Sequence, residues 1–351
     1  MASVTTAELY ALLDHLTVPA IAAQLDDAAN PPITWDDWTV SRATGSLNNR
    51  IYRATRHIAS HASGPAPTGP DSADLAIKLT LRDRFIRAIR EYHSLHVLER
   101  AGLAVGPRAL LLEQDRYPTP IVVLTWVSGE PCQTPPATDA DWRALVQLFA
   151  SIHTVSPERV PADLPSAVLM MRSAEEGLEC FREQLGVVPV AEQPPEARAL
   201  LARLEAHPFP TWNPPPASLC QGDGNFRNLL QRPGGWAAVD WEYSGWGDPV
   251  FEFSAIVAHA AYLDVPPERW AWACDLYLSL LPAAQRAASA ERLAVYIPLM
   301  YGFWVARFAR MLYEIPRGGD QRLTPYPDGW LEAVRGRYQR YLQLAHAALA
   351  Q

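Results

Sequence analysis

The sequence has almost no lysine. Of its 30 basic side chains only one, Lys78, is a lysine, and the rest are arginine. Cysteine is scarce as well: Cys132, Cys180, Cys220 and Cys274 contain no C-x-x-C pair, which excludes a zinc knuckle and a dithiol redox motif. Their wide spacing suits free thiols in a reducing cytoplasm, the expected location. No stretch approaches the roughly 18 apolar residues of a membrane span. The first 30 residues lack the basic start and apolar run of a signal peptide. Charged residues are only 19% of the chain, and the formal net charge is −8. Without clustered Lys and Arg to release counterions, nucleic-acid polymers are not expected partners, and neither is a membrane. H-E-x-x-H is absent, and the pairs His57/His61 and His93/His96 have no third ligand nearby in the sequence. No repeat of 20–50 residues is evident, which argues against a solenoid.

What is present is a chain of 351 residues, 49% apolar, with 32 prolines that read as stiffeners between periodic segments. The length suits two domains or lobes. Thr5 to Ala29 has helical periodicity, broken or kinked at Pro19. Trp35 to Ala43 and Arg50 to Ile58 read as strands joined by Gly45-Ser46-Leu47-Asn48-Asn49. Asp74 to Thr80 is a third strand, and Arg82 to Ala101 a helix stopped at Gly102 with its arginines in solvent. Strands follow at Arg108 to Glu113 and Pro120 to Val127. After Ser128 the pattern turns helical, at Ala140–Thr154, Leu164–Leu185, Pro195–Ala206, Pro249–Tyr262, Glu268–Leu281, Ala288–Leu312 and Asp328–Leu349. Strands first and helices later predict an α+β chain of two unlike parts. The expected division is an N-terminal helix over 1–30, a β-rich part over 31–127 and a mainly helical part over 128–351.

The densest polar cluster is Gln221-Gly222-Asp223-Gly224-Asn225-Phe226-Arg227-Asn228, followed by the apolar run that ends in Asp240. A loop carboxylate, a loop amide and a strand-end carboxylate can converge on one hard cation, since Mg²⁺ is held by one or two such oxygens plus phosphates. Turn chemistry in a hairpin accounts for the same residues. The spacing favours chemistry. In the kinase signature a catalytic Asp precedes a metal-binding Asn by five positions, and a metal-binding Asp follows later, as Asp223, Asn228 and Asp240 do. Leu75-Ala76-Ile77-Lys78 matches the strand signature V-A-I-K, so the lone lysine falls in the lysine position. An ammonium is a compact point charge that a guanidinium does not replace. Glu91 lies on the following helix and could pair with it.

Gln221-Gly222-Asp223-x-x-x-x-Asn228 resembles the H-G-D-x-x-x-x-N loop of aminoglycoside phosphotransferases and choline-kinase-like enzymes. Val239-Asp240-Trp241-Glu242-Tyr243-Ser244-Gly245-Trp246-Gly247-Asp248-Pro249 is similar to their I-D-W-E-Y-A-G-x-G-D-P segment, Arg90-Glu91-x-x-x-Leu95 to their R-E-x-x-x-L, and Ala150-x-Ile152-His153 to their A-x-L-H. The resemblance implies a protein-kinase-like two-lobed fold with a small β-rich N-lobe, a larger mainly helical C-lobe, and ATP or GTP between them. It implies that Lys78 bridges the α- and β-phosphates, held by Glu91, and that Asn228 and Asp240 bind Mg²⁺. Asp223 would then accept the proton of a substrate hydroxyl. The Thr125 carbonyl and the Val127 amide would meet adenine, and Gly45, Ser46, Asn48 and Asn49 would cover the phosphates. Two residues depart from the pattern. Gln221 stands where the family has histidine but keeps a donor and an acceptor, and the phosphate loop has a single glycine, Gly45.

The expected activity is ATP- and Mg²⁺-dependent phosphate transfer to a hydroxyl of an aminoglycoside-like or other amine-bearing small molecule, by a monomer or homodimer. Choline-, thiamine- and macrolide-type acceptors are alternatives, as is a nucleotide-binding scaffold without chemistry. Glu242 is a candidate contact for a cationic acceptor. Trp304, among the aromatics Tyr301, Phe303, Phe308 and Tyr313, is a candidate ring face for one. Asp248, before Pro249, reads as a structural helix start. A protein kinase is disfavoured, because no A-P-E segment follows and Gly245 to Pro249 leaves no room for an activation loop.

Overall fold

A computed structural model describes residues 4–27, 30–43, 49–57, 74–233, 235–319 and 326–350. The chain divides into two compact units, the first ending at Ser128 and the second beginning at Gly129.

The first unit opens with α1 (Thr6–Leu16) and α2 (Pro19–Asp26). Thr5 and Glu8 form a reciprocal capping box on α1, satisfying two backbone donors at once. Pro19 does more than break a helix: it starts α2, where its missing N–H costs nothing. Six antiparallel strands follow, β1 (Ile33–Trp35), β2 (Trp38–Ala43), β3 (Asn49–Arg56), β4 (Leu75–Thr80), β5 (Ala109–Glu113) and β6 (Ile121–Thr125), in the order β1-β2-β3-β4-β6-β5. The single strand expected from Trp35 is two, because Asp36 at φ 52° turns the chain so that Trp35 pairs with Trp38. Leu9, Leu12, Leu13 and Leu16 of α1 bury with Trp38, Tyr52, Ile77 and Val123 of the sheet in one core.

Between β4 and β5 runs α3 (Arg87–Arg100), five residues shorter at its start than expected. The Asp83 carboxylate accepts the Phe85 N–H and the Arg87 Nε–H, and Ile86 is left-handed at φ 49°, so the helix cannot extend backwards. The arginines of α3 are also not all in solvent. Arg87 and Arg90 are buried, Arg90 donating to the Phe85 carbonyl.

The second unit contains β7 (Glu130–Pro131), α4 (Asp139–Ile152), α5 (Ala174–Gly186), α6 (Pro195–Ala206), β8 (Ser218–Cys220), β9 (Leu229–Arg232), β10 (Gly235–Ala238), β11 (Gly245–Gly247), α7 (Pro249–Val257), α8 (Pro267–Leu280), α9 (Ala283–Glu314) and α10 (Trp330–Ala348). Sheets β10-β9-β7 and β11-β8 are small and antiparallel. The prolines are again helix starters: α6, α7 and α8 each open on one. Pro298, by contrast, sits inside the 32-residue α9.

The expected helix from Leu164 begins only at α5, capped by Ser173. The stretch before it is extended because it bonds to the segment around β11: Ala167 N–H to the Trp246 carbonyl, Val168 N–H to Tyr243 and Trp246 N–H to Pro165. Gly245 permits this approach, since a Cβ there would collide with the Pro165 carbonyl. The expected helix over Pro249–Tyr262 is also interrupted. It ends at Val257, and a 3₁₀ turn follows at Ala260–Tyr262, capped by the side chain of His259. No helix among the described residues is long and apolar enough to cross a membrane.

Candidate active site

In the first unit, Lys78 sits at the centre of β4, between Ile51 of β3 and Val122 of β6. Its ammonium lies 2.7 Å from the Glu91 carboxylate of α3, with both side chains almost fully buried. Strand pairing and helix packing thus bring together the two residues expected to pair. Asn49 opens β3 opposite Thr80 and is buried. Gly45, Ser46 and Asn48 lie outside the described residues. Thr125 ends β6, its amide bonded to the Arg108 carbonyl, and Val127 follows, half-buried.

In the second unit, one buried side chain organises the polar loop. Gln221 accepts the Asp223 N–H at 2.9 Å and donates its amide to the carbonyls of Val239 and Asp240, both at 3.0 Å. It thereby fastens the loop to the strand end, using the donor and the acceptor that glutamine shares with histidine. Gly222 takes φ +84°, and a Cβ there would come within 2.5 Å of the Tyr243 carbonyl. Its N–H donates to Glu252 at 2.6 Å. Glu252 in turn meets His153 Nε2 at 2.7 Å, and His153 Nδ1 lies 2.8 Å from the Tyr277 hydroxyl. A buried chain from α8 through the end of α4 to α7 therefore holds the turn before Asp223.

Asn228 and Asp240 flank the β9–β10 hairpin at its same end, where Leu229 pairs with Ala238 and the Val239 N–H bonds to the Asn228 carbonyl. Asn228 also donates to the Asp223 carbonyl at 3.3 Å. Asp240 holds φ +63°, an uncommon conformation for a residue with a side chain. Loop and hairpin thus tie Asp223 to Asn228 directly and to Asp240 through Gln221. Asn228 and Asp240 offer an amide oxygen and a carboxylate, the hard donors that suit Mg²⁺. All three residues remain partly exposed.

Two further carboxylates are buried. Asp248 caps α7 by accepting the Val250 N–H, and it pairs with Arg292 at 3.1 Å and Tyr296 at 2.9 Å, both from α9. Burial pushes its carboxyl up, opposed by those partners. Glu242, the candidate contact for a cationic acceptor, is only 1% exposed and lies buried instead. Trp304 is half-buried and packs edge-on to His259, with ring centroids 5.6 Å apart.

His259 is the residue that sequence reasoning missed. Its Nε2 lies 3.4 Å from Asp223 Oδ1. Burial pushes the Asp223 carboxyl up, but the bond to His259 and the donors of Asn225 and Asn228 outweigh it and hold the group below its ordinary value. In the sequence His259 stands between alanines in an expected helix, and only its capacity to cap a turn hinted otherwise.

A family model described as the phosphotransferase enzyme family matches residues 69–293. No curated protein sequence matches the chain. Solved structures share its fold at low identity. A choline kinase from Cryptosporidium parvum Iowa II is 12% identical with a TM-score of 0.60, covering 98% of this chain and 97% of its own. A spectinomycin phosphotransferase in complex with ADP and spectinomycin is 13% identical with a TM-score of 0.57, covering 97% and 98%. A choline/ethanolamine kinase family protein from Mesorhizobium loti is 16% identical with a TM-score of 0.52, covering 97% and 98%. The fold is the expected α+β, kinase-like one, with a β-sheet unit and a larger helical unit. With the family match spanning well over half of the sequence, the chain belongs to the phosphotransferase enzyme family.

Proposed function

We propose that the protein transfers the γ-phosphate of ATP to a hydroxyl of an amine-bearing small molecule. The observation that carries this reading is the Gln221 bridge, which fixes Asp223 and Asp240 relative to each other through three hydrogen bonds. In the first unit, Lys78 is the phosphate-binding cation, oriented by Glu91. Asn49, with Gly45, Ser46 and Asn48, contributes to the phosphate loop, and Thr125 and Val127 meet the base. In the second unit, Asn228 and Asp240 are the Mg²⁺ ligands. The metal would neutralise charge on the transferring phosphate. Asp223 takes the proton as the acceptor oxygen forms its bond to phosphorus and the bond from phosphorus to the ADP oxygen breaks. The proton then passes to solvent. The work of the protein is to position and to neutralise charge, which is what this class of transfer needs. The acceptor class is supported by Trp304, half-buried beside His259 with ring centroids 5.6 Å apart and stacked on Phe308 at 5.2 Å, since aromatic rings attract ammonium groups. Glu242, being buried, has no part in this reading.

The test is ADP release with Mg²⁺·ATP across pools of aminoglycosides, choline, ethanolamine, thiamine and macrolides, with Asp223→Asn alongside. Stimulation by one pool in the wild type alone is the expected result and names the acceptor. Equal stimulation in both proteins removes Asp223 as the base. Silence from both, with ATP still bound, favours a nucleotide-binding scaffold.

A further inference from the structure

Asp223 Oδ1 accepts the Asn225 N–H at 3.3 Å, and His259 Nε2 lies 3.4 Å from the same oxygen. The character of the second contact follows from the far side of the imidazole, where His259 Nδ1 accepts the Ala261 N–H at 3.1 Å. A backbone N–H can only donate, so Nδ1 carries no proton, and the proton of the neutral ring is on Nε2, towards Asp223. The ring is also fixed in place. His259 caps the 3₁₀ turn that follows α7, and the rings of Trp304 and Tyr262 stand edge-on to it at 88° and 79°.

We infer that His259 is a positioning residue for phosphate transfer. It anchors Asp223 Oδ1 through its Nε2–H, so that Oδ2 is the oxygen presented to the acceptor hydroxyl. The donor is aimed by a backbone amide rather than by a second carboxylate. Rotation of the Asp223 carboxylate would break the bonds from both the imidazole and the Asn225 amide. Trp304 links this anchor to the acceptor side, since the ring proposed to meet the acceptor is the one that braces the imidazole. The inference rests on Asp223 being the base.

Two measurements test it. In protein labelled with ¹⁵N-histidine, the His259 signals are identified by their loss in His259→Gln. A neutral ring protonated at Nε2, whose signal moves in Asp223→Ala, is expected. A proton on Nδ1, or a signal indifferent to Asp223→Ala, overturns the contact. The second measurement is ADP release with Mg²⁺·ATP and the stimulating pool, or with water as acceptor if no pool stimulates. His259→Leu should lower kcat about 10- to 100-fold, as loss of an orienting outer partner does, with KM for ATP unchanged. His259→Gln, which keeps a donor, should recover most of the loss. Wild-type kcat in His259→Leu overturns the role. So does an equal loss in both variants accompanied by a lowered melting temperature, which would mark a structural residue. Wild-type turnover in Asp223→Asn would instead sink the assignment of the base and leave the contact seen by NMR standing, so the two failures are distinguishable.

Discussion

Lys78 and Glu91 face each other with almost no exposure. Taking two charges out of water is costly, and what offsets the cost is their mutual attraction, so removing one leaves the other uncompensated. Lys78→Met should therefore destabilise the protein by about 3–5 kcal/mol. Lys78→Met combined with Glu91→Leu should recover much of that, as urea denaturation would show, while neither variant transfers phosphate. Lys78→Arg keeps the charge but not the shape, and it should lose activity as well, because a planar fork does not fit where one ammonium does. Gly222 gives a second case. Alanine there meets both an unfavourable φ of +84° and the Tyr243 carbonyl, so the loop must shift. A strained backbone position of this kind costs about 1–3 kcal/mol. Gly222→Ala should thus remain folded by circular dichroism while acceptor-stimulated ADP release falls far more than stability does.

At the scale of elements, the capping box of α1 has a pH signature. The Thr5 amide, the Thr5 hydroxyl and Arg56 together lower the Glu8 carboxyl to about 2, from an ordinary value of 4.5. Between those values the folded chain binds fewer protons than the unfolded one, so this contribution is present in full above pH 4.5 and is lost as the pH falls towards 2. The melting temperatures of wild type and Glu8→Gln should accordingly differ near pH 6 and converge on acidification. A pH-independent difference would mean that the box contributes nothing through charge.

The same scale shows what could be read from the sequence. The strands β3, β4 and β6, the helices α4, α6, α8 and α10, and the loop around Asp223 follow from periodicity and motif, because local pattern and final packing agree there. The misreadings come from contacts distant in sequence. The segment before α5 has helical composition, but its backbone donors and acceptors are taken by residues near Trp246, about eighty positions away. Arg87 and Arg90 look like solvated charges until Asp83 and the Phe85 carbonyl bury them. His259 gave no warning because its partner, Asp223, lies 36 positions earlier in another loop.

At the scale of the whole molecule, the four cysteines are all unbridged. Burial, with nearby acidic groups, pushes the thiols of Cys180 and Cys274 up to about 11 and about 12, and pushes Cys220 well above its ordinary value. Thiolate is the reactive form, so a disulfide reagent at pH 8 should modify the native protein slowly and the unfolded protein completely. The lone lysine has a related consequence. Because Lys78 is buried, amine-acylating reagents should leave no side-chain adduct on the native chain and only one after unfolding. That makes Lys78 a built-in reporter. An acyl-phosphate analogue of ATP, which carries its own acylating group to a nucleotide site, could mark this protein at one side chain only, and the mass of that adduct would read nucleotide occupancy directly, without any acceptor being known.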